Sequence, residues 1–159
     1  MIYSFFSLMP QQEPDMQAPL RDPLKNFVGY ALRRASSLEM ANLSNQLAQL
    51  DLRPTEGSVI VIVQANPGIR QSDIGRMLDI ASANMTPLIA RLDSRGLILR
   101  KRKDGRSQGL RLTEEGTRLA TQALAEMEKH EREMMARVPE AMREPLVSAL
   151  QSIWREQPE

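Results

Sequence analysis

The strongest constraint in this sequence is a change of period at Gly96. Before it, Met85, Leu88, Ile89 and Leu92 recur at threes and fours, the spacing of one helix face. After it the period is two. Leu97-Ile98-Leu99-Arg100-Lys101-Arg102 reads as a strand, Lys103-Asp104-Gly105-Arg106-Ser107 as a turn, and Leu110-Arg111-Leu112 as a returning strand. Asp104-Gly105 is a strong short-range hairpin signal. Gly96 suits the residue just past a helix end, where a left-handed conformation is needed. Thr113 is placed to cap a following helix, with Glu114 and Glu115 at its positive end. Gly116 stands third in that helix, so a reciprocal capping box is incomplete. A short hairpin set between helices defines the fold class: mainly α with a small β-hairpin.

The rest of the chain supplies the helices. From Leu24, the residues Phe27, Val28, Ala31, Leu32, Ala35 and Leu38 follow at helical spacing, continued by Leu43, Leu47 and Leu50. Pro54 with Glu56 opens the next element as a helix would. Val59-Ile60-Val61-Ile62-Val63 is β-branched throughout and favours a strand by propensity. The Pro-x-Glu start tips the balance slightly to helix, and Asn66-Pro67-Gly68 is a stop. A helix of about two turns over 69–79 carries Ile74, Met77 and Leu78 on one face. Ile80-Ala81 is a tight connection to the helix ending at Gly96. A helix from Glu114 to about Arg137 carries Leu119, Ala123, Leu124, Met127 and Met134, and Pro139 interrupts it. A last helix holds Met142, Leu146, Leu150, Ile153 and Trp154. Met127, Met134 and Met135 read as core filler, and His130 as a surface helix residue.

Charge is informative in its distribution. The chain has 159 residues and a net charge of +1. Residues 91–111 hold Arg91, Arg95, Arg100, Lys101, Arg102, Lys103, Arg106 and Arg111 against Asp93 and Asp104, a local +6. The segments on either side are net acidic. One basic face on an otherwise acidic chain suits a polyanionic partner; a solvated charged hairpin fits composition equally well. There is no cysteine, which excludes disulfides, thiolate metal sites and a thiol switch. A single histidine supports no histidine-rich metal site. No apolar run reaches the ~20 residues that span a bilayer. The apolar start, with Phe5 and Phe6, lacks a basic leader, so a cytoplasmic location is expected. No Gly-rich phosphate loop or catalytic triad is evident, so no enzyme and no cofactor are expected.

Two short helices joined by a tight turn form a helix-turn-helix, and a hairpin directly after them makes it winged. A helix fits the major groove with its N-terminal residues at base edges. The stretch 71–116, "QSDIGRMLDIASANMTPLIARLDSRGLILRKRKDGRSQGLRLTEEG", resembles the multiple-antibiotic-resistance regulator (MarR) family. The matching pieces are the text at 88–98, the wing Asp104-x-Arg106 and Leu112-Thr113-Glu-x-Gly116. The helix order extends the resemblance over about 24–154. It implies a homodimer joined through first and last helices, a pseudo-palindromic double-stranded DNA operator, and a small ligand that loosens DNA binding. It also implies that Val59–Val63 is helical. The expected organisation is an irregular arm over 1–21 and a dimerisation helix over 22–52. A winged helix-turn-helix lobe follows over 53–113, then C-terminal dimerisation helices over 114–159.

Within that frame, Ser82, Asn84 and Thr86 stand at the start of the recognition helix and are expected to touch bases or phosphates. Either Ser82 or Asn84 can be its cap; with Ser82, Pro87 falls beyond the first turn and removes a helical hydrogen bond. The resemblance gives Asp104 the role of holding the wing and Arg106 that of entering DNA. Arg70, Gln71, Arg91, Lys101, Arg102 and Lys103 complete the expected DNA-contact set, chiefly at phosphates. Phe27, Tyr30, Arg33 and Arg34 are near enough in sequence to line the family's ligand pocket. They suit an aromatic carboxylate or its coenzyme A thioester, and core packing with a solvated arginine pair explains them equally well. The function expected is a repressor released by a small molecule. The alternative is a winged helix that docks another protein and senses nothing.

Overall fold

A computed structural model describes residues 20–104 and 107–154; the side chains of 101–104, 107–108 and 154 are outside the description. The elements are α1 (Val28–Ala48), α2 (Pro54–Ala65), α3 (Gln71–Met77), α4 (Ser82–Ser94), β1 (Ile98–Asp104), β2 (Ser107–Leu112), α5 (Glu114–Met135) and α6 (Glu140–Trp154). Two compact units divide the chain, 1–34 and 35–159.

In the first unit the helix starts later than the apolar spacing from Leu24 predicts. Asp22 Oδ1 accepts the Leu24 N–H at 3.0 Å, and residues 23–26 form a turn, so α1 begins at Val28. A side-chain oxygen that takes a nearby N–H competes with helix there.

In the second unit the apolar centre is built around α2. Val59, Ile60 and Val63 are fully buried and Val61 and Ile62 partly so. The β-branched run is therefore helical, against its propensity. A helix apolar on nearly all sides is one buried on nearly all sides. Each buried valine or isoleucine contributes roughly 1.5–3 kcal/mol, against a helix penalty of a few tenths per residue. Pro54 is the first helical residue, and Glu56 accepts the Arg53 N–H at 2.8 Å across the helix start. Leu47, Leu52, Ile74, Met85, Ile89, Leu92, Leu97, Ile98, Leu110 and Leu119 complete the same core. Met127 packs against it, as expected of a filler.

The hairpin is antiparallel, with Ile98 opposite Leu112 and Arg100 opposite Leu110. Its strands run further than the sequence signals, to Asp104 and from Ser107, with an irregularity between Arg102 and Asp104. Leu110 is buried and Arg111 exposed, as the alternation predicts. Ile69 forms a bridge to Leu110, so the α2–α3 connection lines the hairpin's edge. Thr113 caps α5 by accepting the Gly116 N–H at 2.9 Å. Any side chain at Gly116 would overlap the Leu97 carbonyl, which is why the position of a capping-box glutamate holds glycine.

His130 is not on the surface. It is 8% exposed, with Nε2 3.5 Å from Glu39 Oε2 of α1. Met77, assigned by spacing to the apolar face of α3, is 60% exposed. No helix among the described residues is long and apolar enough to cross a membrane.

Candidate nucleic-acid interface

The turn between α3 and α4 is built by backbone. Ile80 N–H donates to the Gly75 carbonyl at 2.8 Å, and Asp79 takes a left-handed φ of 52°. Aspartate is among the few non-glycine residues that accept this region readily. Ala81 is the N-cap of α4 and offers no side-chain bond. Neither Ser82 nor Asn84 caps; they are the first and third residues of the helix. Both hydroxyl and amide are thus left to other partners. Pro87 stands inside α4, beyond the first turn, so it withholds one N–H from the ladder.

Met85, Ile89 and Leu92 anchor α4 to the core. Their positions divide the exposed surface into three parts at helical spacing. Ser82 and Thr86 share one flank. Asn84, Leu88, Arg91 and Arg95 share the other. Ala83, Pro87 and Ala90 face outward between them, and all three are exposed. Gln71, the first residue of α3, donates from Nε2 to Thr86 Oγ1 at 3.2 Å and ties the two helices at their starts. A cleft of 640 Å³ lies between these starts, lined by Gln71, Gly75, Ile80, Ser82 and Met85 among others. Arg70 is exposed at the N-cap of α3. Gln71, Ser82 and Thr86 are therefore brought together, with Arg70 next to Gln71 in the chain.

Arg91 has a partner within the protein that its spacing did not predict. Its guanidinium is turned to the buried carboxylate of Glu56, with Nε 2.6 Å and Nη2 2.5 Å from Oε1. The charge balance of a buried carboxylate requires such a partner, and the Arg91 side chain is still 42% exposed. Arg95, one turn on, donates to the Asp51 carbonyl at 2.7 Å. Sequence reasoning missed Glu56 as a partner. The signal was present in part, as the spacing 84, 88, 91, 95 on one flank, but its partner on α2 was not readable.

Arg106 lies outside the described residues, as do the side chains of Lys101, Arg102, Lys103 and Asp104. The backbone of 101–104 continues β1, so the basic run rides on the distal half of the hairpin. In the first unit, Tyr30 donates to Asp22 Oδ2 at 3.3 Å and accepts from Arg34 Nη1 at 3.2 Å. The Tyr30 oxygen raises the pKa of the Arg34 guanidinium above its ordinary value. Arg33 and Arg34 stand 5.7 and 5.8 Å from the Tyr30 ring centre. Phe27 is 61% exposed.

A helix pair with a fixed turn, an exposed N-terminal half and an adjoining basic hairpin defines a winged helix-turn-helix DNA-binding protein. Residues 52–107 match the model of the MarR family. The structure of the transcriptional repressor CouR bound to a 23-mer DNA duplex is similar, with a TM-score of 0.80 and 31% identity over 87% of this chain and all of that one. CouR bound to p-coumaroyl-CoA gives 0.78 and 29% over 88% of this chain and all of that one. The uncharacterized HTH-type transcriptional regulator YdgJ of Bacillus subtilis (strain 168) is 34% identical over 84 residues, 52% of this chain. The match spans about half (51%) of YdgJ's length. The chain belongs to the MarR family: it is a DNA-binding transcription regulator, and its fold and family are not those of an enzyme.

Proposed function

We propose that the protein is a homodimeric repressor that holds a pseudo-palindromic operator and releases it when a small aromatic acid or its coenzyme A thioester binds. The observation that carries this reading is its likeness, over nearly the whole chain, to CouR in both a DNA-bound and a p-coumaroyl-CoA-bound form. Each protomer would set the N-terminal half of α4 in a major groove. Ser82, Asn84 and Thr86 would meet base edges, Arg70 and Gln71 the flanking phosphates, and the basic hairpin the adjacent minor groove. The half-sites would then lie about one helical turn (~34 Å) apart. Leu38 and Met40 on α1 and Met142, Val147 and Ile153 on α6 are exposed apolar residues that suit a dimer interface. Tyr30, Arg33 and Arg34 form a cationic, aromatic cluster whose chemistry suits a carboxylate or phosphate, with Phe27 beside it in sequence.

The test titrates the purified protein against its gene's own upstream duplex at several salt concentrations. Binding should weaken steeply with salt and resist scrambled competitor. Adding p-coumaroyl-CoA or p-coumarate should then release the duplex, with free coenzyme A as the control. The coupling expected is about 5- to 150-fold in affinity. Undetectable DNA binding at low salt would overturn the operator reading and leave a winged helix that docks a protein. Operator binding indifferent to the thioester and to p-coumarate would overturn the effector class.

A further inference from the structure

We propose that Glu56 is a positioning residue for operator recognition, acting through Arg91 to fix the rotation of the recognition helix about its own axis. The inference rests on the operator-binding reading above. Glu56 and His130 are the buried charged or titratable polar residues among those described, and Glu56 is 0% exposed. Its two oxygens have separate duties. Oε2 accepts the Arg53 backbone N–H at 2.8 Å, which ties the carboxylate to the start of α2. Oε1 accepts Arg91 Nε at 2.6 Å, which ties it to α4. Both partners are donors, so a group in this place must accept on both sides.

The ion pairs Arg76–Asp73 and Arg118–Glu115 are exposed and join neighbours on a single helix. Such pairs contribute little. The Arg91–Glu56 pair joins two helices, and one member is fully desolvated. A carboxylate removed from water strongly favours the arrangement that keeps its counter-charge. Methyl contacts on the apolar face of α4 are not directional. The guanidinium contact is directional and adds an orientational constraint to that packing. It lies two turns from Asn84 on the same flank, and Arg95 extends the clamp to Asp51 one turn further on. Asn84 is thus at the free end of a flank held at Arg91 and Arg95. The pair also neutralises Arg91. A cation that Glu56 did not hold would attract phosphates without regard to sequence.

Glu56→Gln keeps the size of the side chain but cannot present acceptors to both Arg53 and Arg91. Fluorescence anisotropy would compare the upstream duplex with a scrambled duplex of equal length, each at several salt concentrations. The upstream preference of Glu56→Gln should fall about tenfold, the scale of one lost base contact. Affinity for scrambled DNA should stay level or rise, with a steeper salt dependence. In the double variant Glu56→Gln/Arg91→Gln the charge is gone from both sides. Its scrambled-DNA affinity and salt slope should return to wild type. A folded, dimeric Glu56→Gln with wild-type preference overturns the proposal. So does a loss on both duplexes by one factor that tracks a fall in folded fraction, since that is stability alone. Wild-type protein that prefers neither duplex instead overturns the operator reading itself.

Discussion

Gly109 and Gly68 meet across the seam between β2 and the α2–α3 connection: a Cβ on Gly109 would stand 2.6 Å from the Gly68 carbonyl oxygen. The seam is closed by the Gly68 N–H on the Leu110 carbonyl at 2.7 Å and the Leu110 N–H on the Ile69 carbonyl at 2.8 Å. The obstructing atoms are backbone and cannot rotate away. Gly109→Ala should therefore displace the hairpin and destabilise the fold by about 1–3 kcal/mol. A thermal melt reads this directly. An unchanged midpoint would mean that the seam opens without cost.

Glu39 of α1 makes two contacts of unequal weight, to His130 of α5 and to Arg137 just beyond that helix. Oε1 accepts Arg137 Nη2 at 2.7 Å, and Oε2 lies near buried His130 with no hydrogen bond of its own. The Arg137 side chain is 53% exposed, so Arg137→Ala should cost well under about 1 kcal/mol. His130→Ala removes a largely buried ring and should cost about 2–4 kcal/mol, mostly through lost packing. Urea unfolding of the two variants should rank them in that order, and the reverse ranking would show that the surface pair dominates.

How far the sequence could be read follows from which forces were local. The hairpin, the Thr113 cap and the Gly96 end (φ 69°) rest on neighbours in the chain; the cap and the helix end appear where the residues predict them, and the hairpin does so with longer strands. The α2 helix was legible only faintly, because its β-branched run prefers a strand until α5 and β2 pack against it. The cap of α4 was ambiguous because Ser82, Asn84 and Pro87 carry competing signals, and Ala81 takes the place by backbone conformation alone. The pairing of Arg91 and the burial of His130 were missed for one shared reason. Their partners, Glu56 and Glu39, are 35 and 91 residues away, as the numbering of each pair gives, and spacing within one helix does not reveal them.

On the proposed reading, the wing contributes affinity through Arg106. Arg106→Ala should weaken binding to the upstream duplex by about 1–2 kcal/mol and lower its salt slope by about one. The dimer should be unaffected, since the proposed interface lies on α1 and α6. Gel-shift titration with sizing chromatography checks both. Wild-type affinity would remove the wing from the mechanism.

The outward face of α4 makes the sharpest demand on the operator. Ala83, Pro87 and Ala90 are exposed there and carry no hydrogen-bonding side chain. If this face enters the major groove, it meets base edges with apolar surface, and the matching group on DNA is the thymine methyl. Ser82, Thr86 and Asn84 on the flanks are then left to do the polar reading. Replacing single thymines by deoxyuridine removes that methyl and nothing else. At the one or two positions under this face, affinity should fall about fourfold per methyl, from about 0.8 kcal/mol for a buried carbon. Thymines elsewhere in the site should tolerate the change. An operator insensitive to deoxyuridine at every position would mean that α4 reads through its flanks alone, with Pro87 held clear of the bases.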